Sequence, residues 1–142
     1  MKLRFQYLPY RRRFRRPLAT AREDWQYREG IILRLESDAT PVGFGEIAPL
    51  PSFGTETMAE ALRWCKEQQE YHRVLETIPS ELPCCQWAVN TALSDLLSEP
   101  VGVTFPVAAL VDSMETLIAR KAAAYQSFKM KIGISGFVYE SQ

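Results

Sequence analysis

The segment from residue 105 to residue 133 most constrains the fold, because strand and helix patterns alternate along it. FPVAALV, residues 105–111, is a short apolar run typical of a strand covered on both faces. An Asp112-x-x-Glu115 cap then begins a predicted helix over about residues 114–126, and FKMKIG, residues 128–133, returns to strand. Two strands joined by a helix run parallel, so this segment predicts a β-α-β unit of a barrel or doubly wound sheet.

The first part of the chain has a different pattern. KLRFQYLPY, EGIILRLE and VGFGEIAP have strand-like composition and are separated by glycine and proline, which predicts three antiparallel strands. The first two strands are joined by a polar connection over residues 15–27, long enough to be a functional loop. After the third strand, the prolines and glycine of residues 48–57 exclude regular structure.

Two helices follow these strands. A Thr57-x-x-Glu60 capping box predicts a helix from about residue 57 to the early 70s. A second helix is predicted with Ser80 as its N-cap and Pro83 in its first turn, and it ends before Pro100. Its apolar stripe consists of Leu82, Cys85, Val89, Ala92, Leu93 and Leu96. Residues 1–98 therefore read as one α+β domain, and residues 99–142 as a second one.

Composition excludes several classes of protein. The chain has 142 residues, of which 46% are hydrophobic, and 17 Lys and Arg balance 17 Asp and Glu, so no nucleic-acid or membrane partner is indicated. RRRFRR, residues 11–16, is interpreted as a solvated turn or strand end in preference to an anion-binding patch. No apolar run approaches the roughly 18 residues of a membrane span and no signal peptide is evident, which predicts a cytoplasmic protein with reduced cysteines.

FKMKIG places Lys129 and Lys131 on one side of the predicted strand and Phe128, Met130 and Ile132 on the other. On an open sheet both lysines would face water. Inside a closed barrel both would face the lumen, where burying an ammonium group is costly unless it takes part in chemistry.

The order of segments, with GFGEIAPLPSFGTET, then the helix containing residues 87–97, then PVAALV and FKMKIG, resembles the enolase superfamily. Within it the chain is similar to the o-succinylbenzoate synthases of menaquinone and phylloquinone biosynthesis. The resemblance runs from about residue 1 to about residue 134. It implies a capping domain, with a three-stranded antiparallel sheet and helices, followed by the β-α-β start of an incomplete (β/α) barrel.

The resemblance also implies a site. The lysine pair maps to Lys129 and Lys131, and Lys131 is the implied base that removes a proton α to a carboxylate; a cation beside a lysine lowers its pKa. Two loops, at about residues 18–25 and 48–55, would close over a small carboxylate substrate, with Arg22, Leu50 and Phe53 as substrate-binding residues. We interpret Gly43 and Gly45 as positions of tight backbone packing and His72 as a surface residue.

The family reaction loses water from a metal-stabilised enediolate and uses Mg²⁺, as enolase-superfamily sites do. The family's metal ligands end the third, fourth and fifth barrel strands, and its opposing lysine lies on the sixth. We therefore expect this sequence alone to hold no Mg²⁺, to be inactive, and to self-associate through exposed barrel strands, whether it is a fragment, a truncated gene product or a complete protein. Dipeptide epimerase, N-succinylamino acid racemase, muconate cycloisomerase and a non-catalytic binding module remain alternatives.

Overall fold

The computed structural model describes residues 3–20, 23–37, 42–71, 78–99, 102, 104–111 and 113–130. The chain divides into two compact units, residues 1–100 and 101–142. The predicted domain boundary, between residues 98 and 99, lies close to this division. None of the helices in the described part of the chain is long and apolar enough to cross a membrane.

The first unit contains a three-stranded antiparallel sheet in the order β1-β2-β3, formed by Leu3–Ala19, Asp24–Ser37 and Val42–Ile47. Alternate residues of β2, Ile31, Leu33 and Leu35, are completely buried, because one face of the sheet is covered by helices. The prediction of three antiparallel strands is confirmed.

The predicted loop over residues 15–27 is wrong for most of its length. β1 and β2 continue past the third strand as a two-stranded ribbon, with Arg13 opposite Tyr27, a register shift, and then Leu18 opposite Trp25 and Ala19 opposite Asp24. Neither face of this ribbon is buried as a core face, so its sequence lacks the apolar alternation that identifies a strand. The arginines of residues 11–16 are exposed on it, and Arg11 pairs with Glu29 at 3.3 Å.

Two helices, α1 (Met58–Tyr71) and α2 (Pro83–Leu97), pack on the sheet. The predicted capping box of α1 is confirmed: the Thr57 hydroxyl accepts from the Glu60 amide at 3.2 Å, and the Glu60 carboxylate accepts from the Thr57 amide at 2.7 Å. The core comprises Phe5, Ile31, Leu33, Leu35, Ile47, Ala61, Trp64, Cys65, Cys85, Ala88, Val89, Ala92 and Leu96.

The prediction that Ser80 caps α2 is wrong, since the N-cap is Leu82, which makes no side-chain cap. The buried carboxylate of Glu56 accepts instead from the amides of Cys84 at 3.1 Å and Cys85 at 2.8 Å. A negative charge at a helix N-terminus is favourable because free amides point at it. The cap therefore comes from a residue distant in sequence.

The glycines of β3 confirm the interpretation of tight packing. A Cβ atom on Gly43 would lie 1.9 Å from the carbonyl oxygen of Ala92, and one on Gly45 would lie 2.0 Å from the carbonyl oxygen of Ala88. Because no real Cβ approaches another atom so closely, β3 needs glycine at both positions for α2 to pack directly on its backbone.

The second unit is a parallel β-α-β unit, formed by β4 (Ala109–Val111), α3 (Met114–Ala122) and β5 (Phe128–Met130). The predicted parallel pairing is confirmed, and the unit fits the start of a barrel. Asp112 lies outside the described residues, and α3 is capped by Ser113 with Thr116 in place of the predicted Asp112 and Glu115. The helix ends at Ala122, earlier than predicted, and Ala124 has a left-handed φ of 63°.

The prediction that FPVAALV is one strand covered on both faces is wrong in its extent and its burial. Only Ala109–Val111 is strand, Phe105 and Val107 are exposed, and Leu110 is 44% exposed between buried Ala109 and Val111. A parallel strand is buried on both faces only where helices cover both, and the described part of this unit has one helix.

Candidate functional site

The two segments that were predicted as loops meet in the first unit. We call residues 18–20 and 23–25 the ribbon tip, and residues 48–55 the crossing segment. The Ser52 hydroxyl of the crossing segment donates to Glu23 Oε1 of the ribbon tip at 2.9 Å. The structure thus brings together two segments that are far apart in sequence.

Arg28 of β2 binds the crossing segment and also reaches the ribbon tip. Its Nη1 donates to the carbonyl oxygen of Pro49 at 3.0 Å, and its Nη2 donates to that of Ala48 at 2.8 Å. Its guanidinium carbon also lies 5.8 Å from the centre of the Trp25 ring. Hydrogen bonds from a charged donor are stronger than neutral ones, and two from one planar group also fix an orientation.

Each segment has internal hydrogen bonds as well. At the ribbon tip, the Thr20 hydroxyl accepts from the Glu23 amide at 3.0 Å and donates to the Glu23 carbonyl at 2.7 Å. In the crossing segment, the amide of Leu50 donates to Thr55 Oγ1 at 2.6 Å and the amide of Phe53 donates to the Leu50 carbonyl at 2.8 Å. Pro51–Phe53 forms a 3₁₀ turn, closed by Gly54 with a φ of 89°, which favours glycine.

Glu23 is the acidic group of this site. Hydrogen bonds from the Trp25 side chain and from Ser52 lower the pKa of its carboxyl below the usual value of 4.5. The side chain is therefore a carboxylate at neutral pH, and it serves as an acceptor for both segments.

A cavity of about 260 Å³ lies beside these contacts. Its lining mixes apolar, aromatic and charged side chains: Glu23, Trp25, Tyr27, Arg28, Glu29, Pro49, Leu50, Pro51, Ser52 and Met58. Because the lining combines two acidic side chains and one basic side chain with apolar surface, it suits a small ligand with polar groups better than a purely apolar ligand.

Of the three predicted substrate-binding residues, the structure places Leu50 at the cavity. Leu50 is half-buried and lines the cavity, whereas Phe53 is 57% exposed and is not part of its lining. Arg22 lies outside the described residues. Sequence reasoning missed Glu23, Arg28 and Ser52; Arg28 lies between the polar connection over residues 15–27 and EGIILRLE, where nothing distinguishes it from any solvated arginine.

Lys129 is the middle residue of β5 in the second unit, opposite Leu110 of β4, and it is exposed. Lys131 and Ile132 lie outside the described residues, so the shared face of the two lysines stays a prediction. His72 also lies outside them. Within the described ranges, no three His, Cys, Asp or Glu side chains come together in a group able to hold a metal ion.

The three cysteines are free thiols. Burial raises the pKa of Cys65 to about 12, and it raises the pKa values of Cys84 and Cys85 as well. Cys65 and Cys85 lie in the hydrophobic core, and a buried thiol that stays protonated is a poor nucleophile.

Comparison with known proteins assigns the first unit to a family of domains. A family model described as "MenC, N-terminal domain" matches residues 9–96. The o-succinylbenzoate synthase of Thermosynechococcus vestitus is 34% identical over 139 residues, which are 93% of this chain and 43% of that protein. The o-succinylbenzoate synthase of Klebsiella pneumoniae is 30% identical over 115 residues, covering 75% of this chain and 35% of that protein.

Solved structures give the same picture of the fold. The crystal structure of o-succinylbenzoate synthase from Thermosynechococcus elongatus, complexed with Mg in its active site, matches with a TM-score of 0.73 and 33% identity, over 92% of this chain and 43% of that chain. A member of the enolase superfamily from Listeria innocua matches in fold, with a TM-score of 0.58 and 19% identity, over 90% of this chain and 43% of that chain. The chain thus spans less than half the length of these relatives.

Proposed function

Because the chain belongs to the MenC N-terminal domain family, we propose that it forms the N-terminal part of an o-succinylbenzoate synthase-like lyase of the enolase superfamily. The observation that carries the proposal is the family match over residues 9–96, which includes most of the sheet, both helices and both segments of the candidate site. The activity is removal of a proton α to a carboxylate and loss of water to give an aromatic ring, a step of menaquinone or phylloquinone biosynthesis.

In this proposal the first unit recognises the substrate. The cavity beside the ribbon tip and the crossing segment is lined in part by Leu50 and Trp25, and these side chains offer apolar surface to a small substrate. Leu50, Phe53 and Arg22 are the proposed substrate-binding residues. Closure of these segments over the substrate would exclude water, which strengthens electrostatic interactions within the site.

The proposed base is Lys131, with Lys129 as a neighbouring cation that helps to keep the base unprotonated. In the complete enzyme, Lys131→Ala should abolish turnover of the cyclohexadiene substrate with an unchanged circular dichroism spectrum, because it removes a reacting group and no apolar packing. Lys129→Ala should slow the reaction less completely. A Lys131→Ala enzyme that retained most of its activity would contradict this assignment.

Mg²⁺ belongs to the proposal for the complete enzyme only. The described residues offer no cluster of ligands for it, so no step of the chemistry is assigned to a metal held by them. When bound in a complete enzyme, the metal would stabilise the charge of the enediolate. Reading the gene beyond codon 142 tests this arrangement: an in-frame continuation with carboxylates ending successive strands would support it, and a stop codon would favour a non-catalytic binding module.

Substrate choice within the superfamily is tested by assay. The complete enzyme should turn over the cyclohexadiene substrate faster than N-succinylamino acids, dipeptides or muconolactone. Faster racemisation or epimerisation would overturn the lyase assignment, but it would still agree with an assignment to the enolase superfamily.

We also propose that the 142-residue chain is cytoplasmic and self-associates through the second unit. Among the described residues there, the exposed large apolar and aromatic side chains are Phe105, Val107, Leu110, Met114, Ile118, Tyr125 and Met130. Exposed apolar surface next to a short sheet favours pairing with a second copy. Sedimentation velocity of the purified chain should show dimers or larger species that dissociate on dilution. A monomer that resists proteolysis after Pro100 would contradict self-association.

A further inference from the structure

Arg28 differs from the other paired arginines of the sheet in the groups that it binds. Arg11 pairs with Glu29, and Arg34 pairs with Glu36 at 2.8 Å. Arg28 instead donates to two successive carbonyl oxygens of the crossing segment, and within the described residues no carboxylate forms an ion pair with it. Its cross-strand neighbour is another arginine, Arg12. The guanidinium of Arg28 therefore binds backbone carbonyl oxygens.

These two hydrogen bonds and the Ser52–Glu23 hydrogen bond lie on opposite sides of Leu50. Arg28 fixes residues 48 and 49, and Ser52 is fixed through Glu23 of the ribbon tip. The amide of Leu50 is held by Thr55 between them. A residue whose backbone is anchored before, at and after its own position has little freedom to move by itself.

We propose that Arg28 is a positioning residue that fastens the crossing segment to the β1–β2 ribbon, so that the ribbon tip and the crossing segment are held as one body that presents Leu50 to the substrate. The structural part of this inference is independent of the reaction. Its consequence for substrate binding rests on the proposed function.

Hydrogen–deuterium exchange of the full 142-residue chain tests the structural part. The probes are the amides of Leu50, Phe53 and Gly54 in the crossing segment and that of Glu23 at the ribbon tip, each of which donates a hydrogen bond. Arg28→Met keeps an unbranched side chain and removes the donors. Exchange at these amides should rise about tenfold or more, because hydrogen bonds to charged groups are among the stronger ones in proteins.

Arg34→Met is the matched control. Arg34 lies on the same strand and on the same face as Arg28, and it donates to the side chains of Gln6 and Glu36, away from the crossing segment. This variant should leave exchange in both segments unchanged. Equal exchange in the Arg28→Met and Arg34→Met chains would overturn the proposal, and so would a rise confined to one of the two segments.

The claim that the segments are held as one body has its own test. Ser52→Ala removes the Ser52–Glu23 hydrogen bond and keeps the contacts of Arg28. If both connections hold one body, the exchange rates of Glu23 and Phe53 in the Arg28→Met/Ser52→Ala chain should exceed the product of the two single effects. Effects that simply multiply would show two independent segments and would overturn this claim.

Kinetics of the complete enzyme test the consequence for binding. Arg28→Met should raise KM several-fold and change kcat less, because a displaced Leu50 weakens substrate contacts and leaves the base in place. Arg28→Lys, which retains one donor group, should restore part of the KM. If exchange rose and KM stayed unchanged, the coupling of the two segments would be supported, and the role of Leu50 in substrate binding would be overturned.

Discussion

The two units of the chain bury their apolar residues to very different degrees. In the first unit, one face of the sheet and the inner faces of α1 and α2 share a closed core, in which Ile31, Leu33 and Leu35 are completely buried. In the described part of the second unit, Ala109 and Val111 are buried, whereas Phe105 and Val107 are more than two-thirds exposed.

The difference follows from topology. An antiparallel sheet needs cover on one face only, and two amphipathic helices supply it in the first unit. Parallel strands need cover on both faces, and a single β-α-β unit provides one helix. The comparison indicates that the first unit contains the interactions that stabilise it, while the second presents apolar side chains suited to packing against further structure.

Truncation of one leucine in each unit should give the largest contrast. Leu33→Ala removes a completely buried side chain and should lower the free energy of unfolding by roughly 2–5 kcal/mol. Leu110→Ala removes a side chain that is 44% exposed and should cost about 1 kcal/mol or less. Urea unfolding followed by circular dichroism measures both. Equal losses would show that the second unit has a core as closed as that of the first.

Addition of one methyl group to a glycine in each unit should give the next contrast. Gly45→Ala forces β3 and α2 apart, because the new Cβ would lie 2.0 Å from the Ala88 carbonyl oxygen, and it should cost about 3 kcal/mol. Gly102→Ala meets no atom within 4 Å and should be neutral within ~0.5 kcal/mol. Thermal unfolding of both variants checks this; a stable Gly45→Ala chain would disprove the direct packing of α2 on the strand.

The cap of α2 comes from a residue far away in sequence, whereas the cap of α3 comes from the residue that precedes the helix. Glu56→Ala leaves the half-buried amide of Cys84 and the buried amide of Cys85 without their acceptor and should destabilise the first unit by about 2 kcal/mol. Ser113→Ala removes a cap supplied from within the helix terminus and should cost about 1 kcal/mol, confined to α3. Tryptophan fluorescence, from Trp25, Trp64 and Trp87, reports the first unit alone and should detect only Glu56→Ala. Glu56→Gln keeps an acceptor oxygen and should lose less.

The smallest predicted effect is the pH dependence of the first unit, which contains all three cysteines. Burial raises the pKa of Cys65 from 9.0 to about 12, so the unfolded chain releases this proton first and folding stability is lost as pH rises above 9. Between pH 9 and pH 10 this group should account for about 1 kcal/mol. The contribution of Cys65 is isolated by measuring the unfolding free energies of the wild-type and Cys65→Ala chains at both pH values. Parallel pH dependences would contradict the buried state of this thiol.

Several local features of the fold were predictable from sequence. The strand-like composition of EGIILRLE predicted a strand there, and the spacing of Thr57 and Glu60 predicted the start of α1; both are confirmed. These signals are readable because the interactions behind them join residues two to four positions apart. The resemblance of segment order to the enolase superfamily extended this reading to the family, and the family is confirmed by the match over residues 9–96.

Other features were decided by tertiary structure. Glu56 caps a helix 29 residues away from itself, Arg28 binds carbonyls about 20 residues away, and Gly43 is required by a helix more than 40 residues further along the chain. The sequence around Glu56, Arg28 or Gly43 contains no periodic pattern that would indicate these distant partners. The sequence by itself determined the type and order of the elements, because hydrophobic spacing and caps are local. Only the packed structure decided which glutamate caps α2, which arginine holds the crossing segment and which glycine lets a helix pack against its strand. Each of these interactions depends on atoms that folding brings close together.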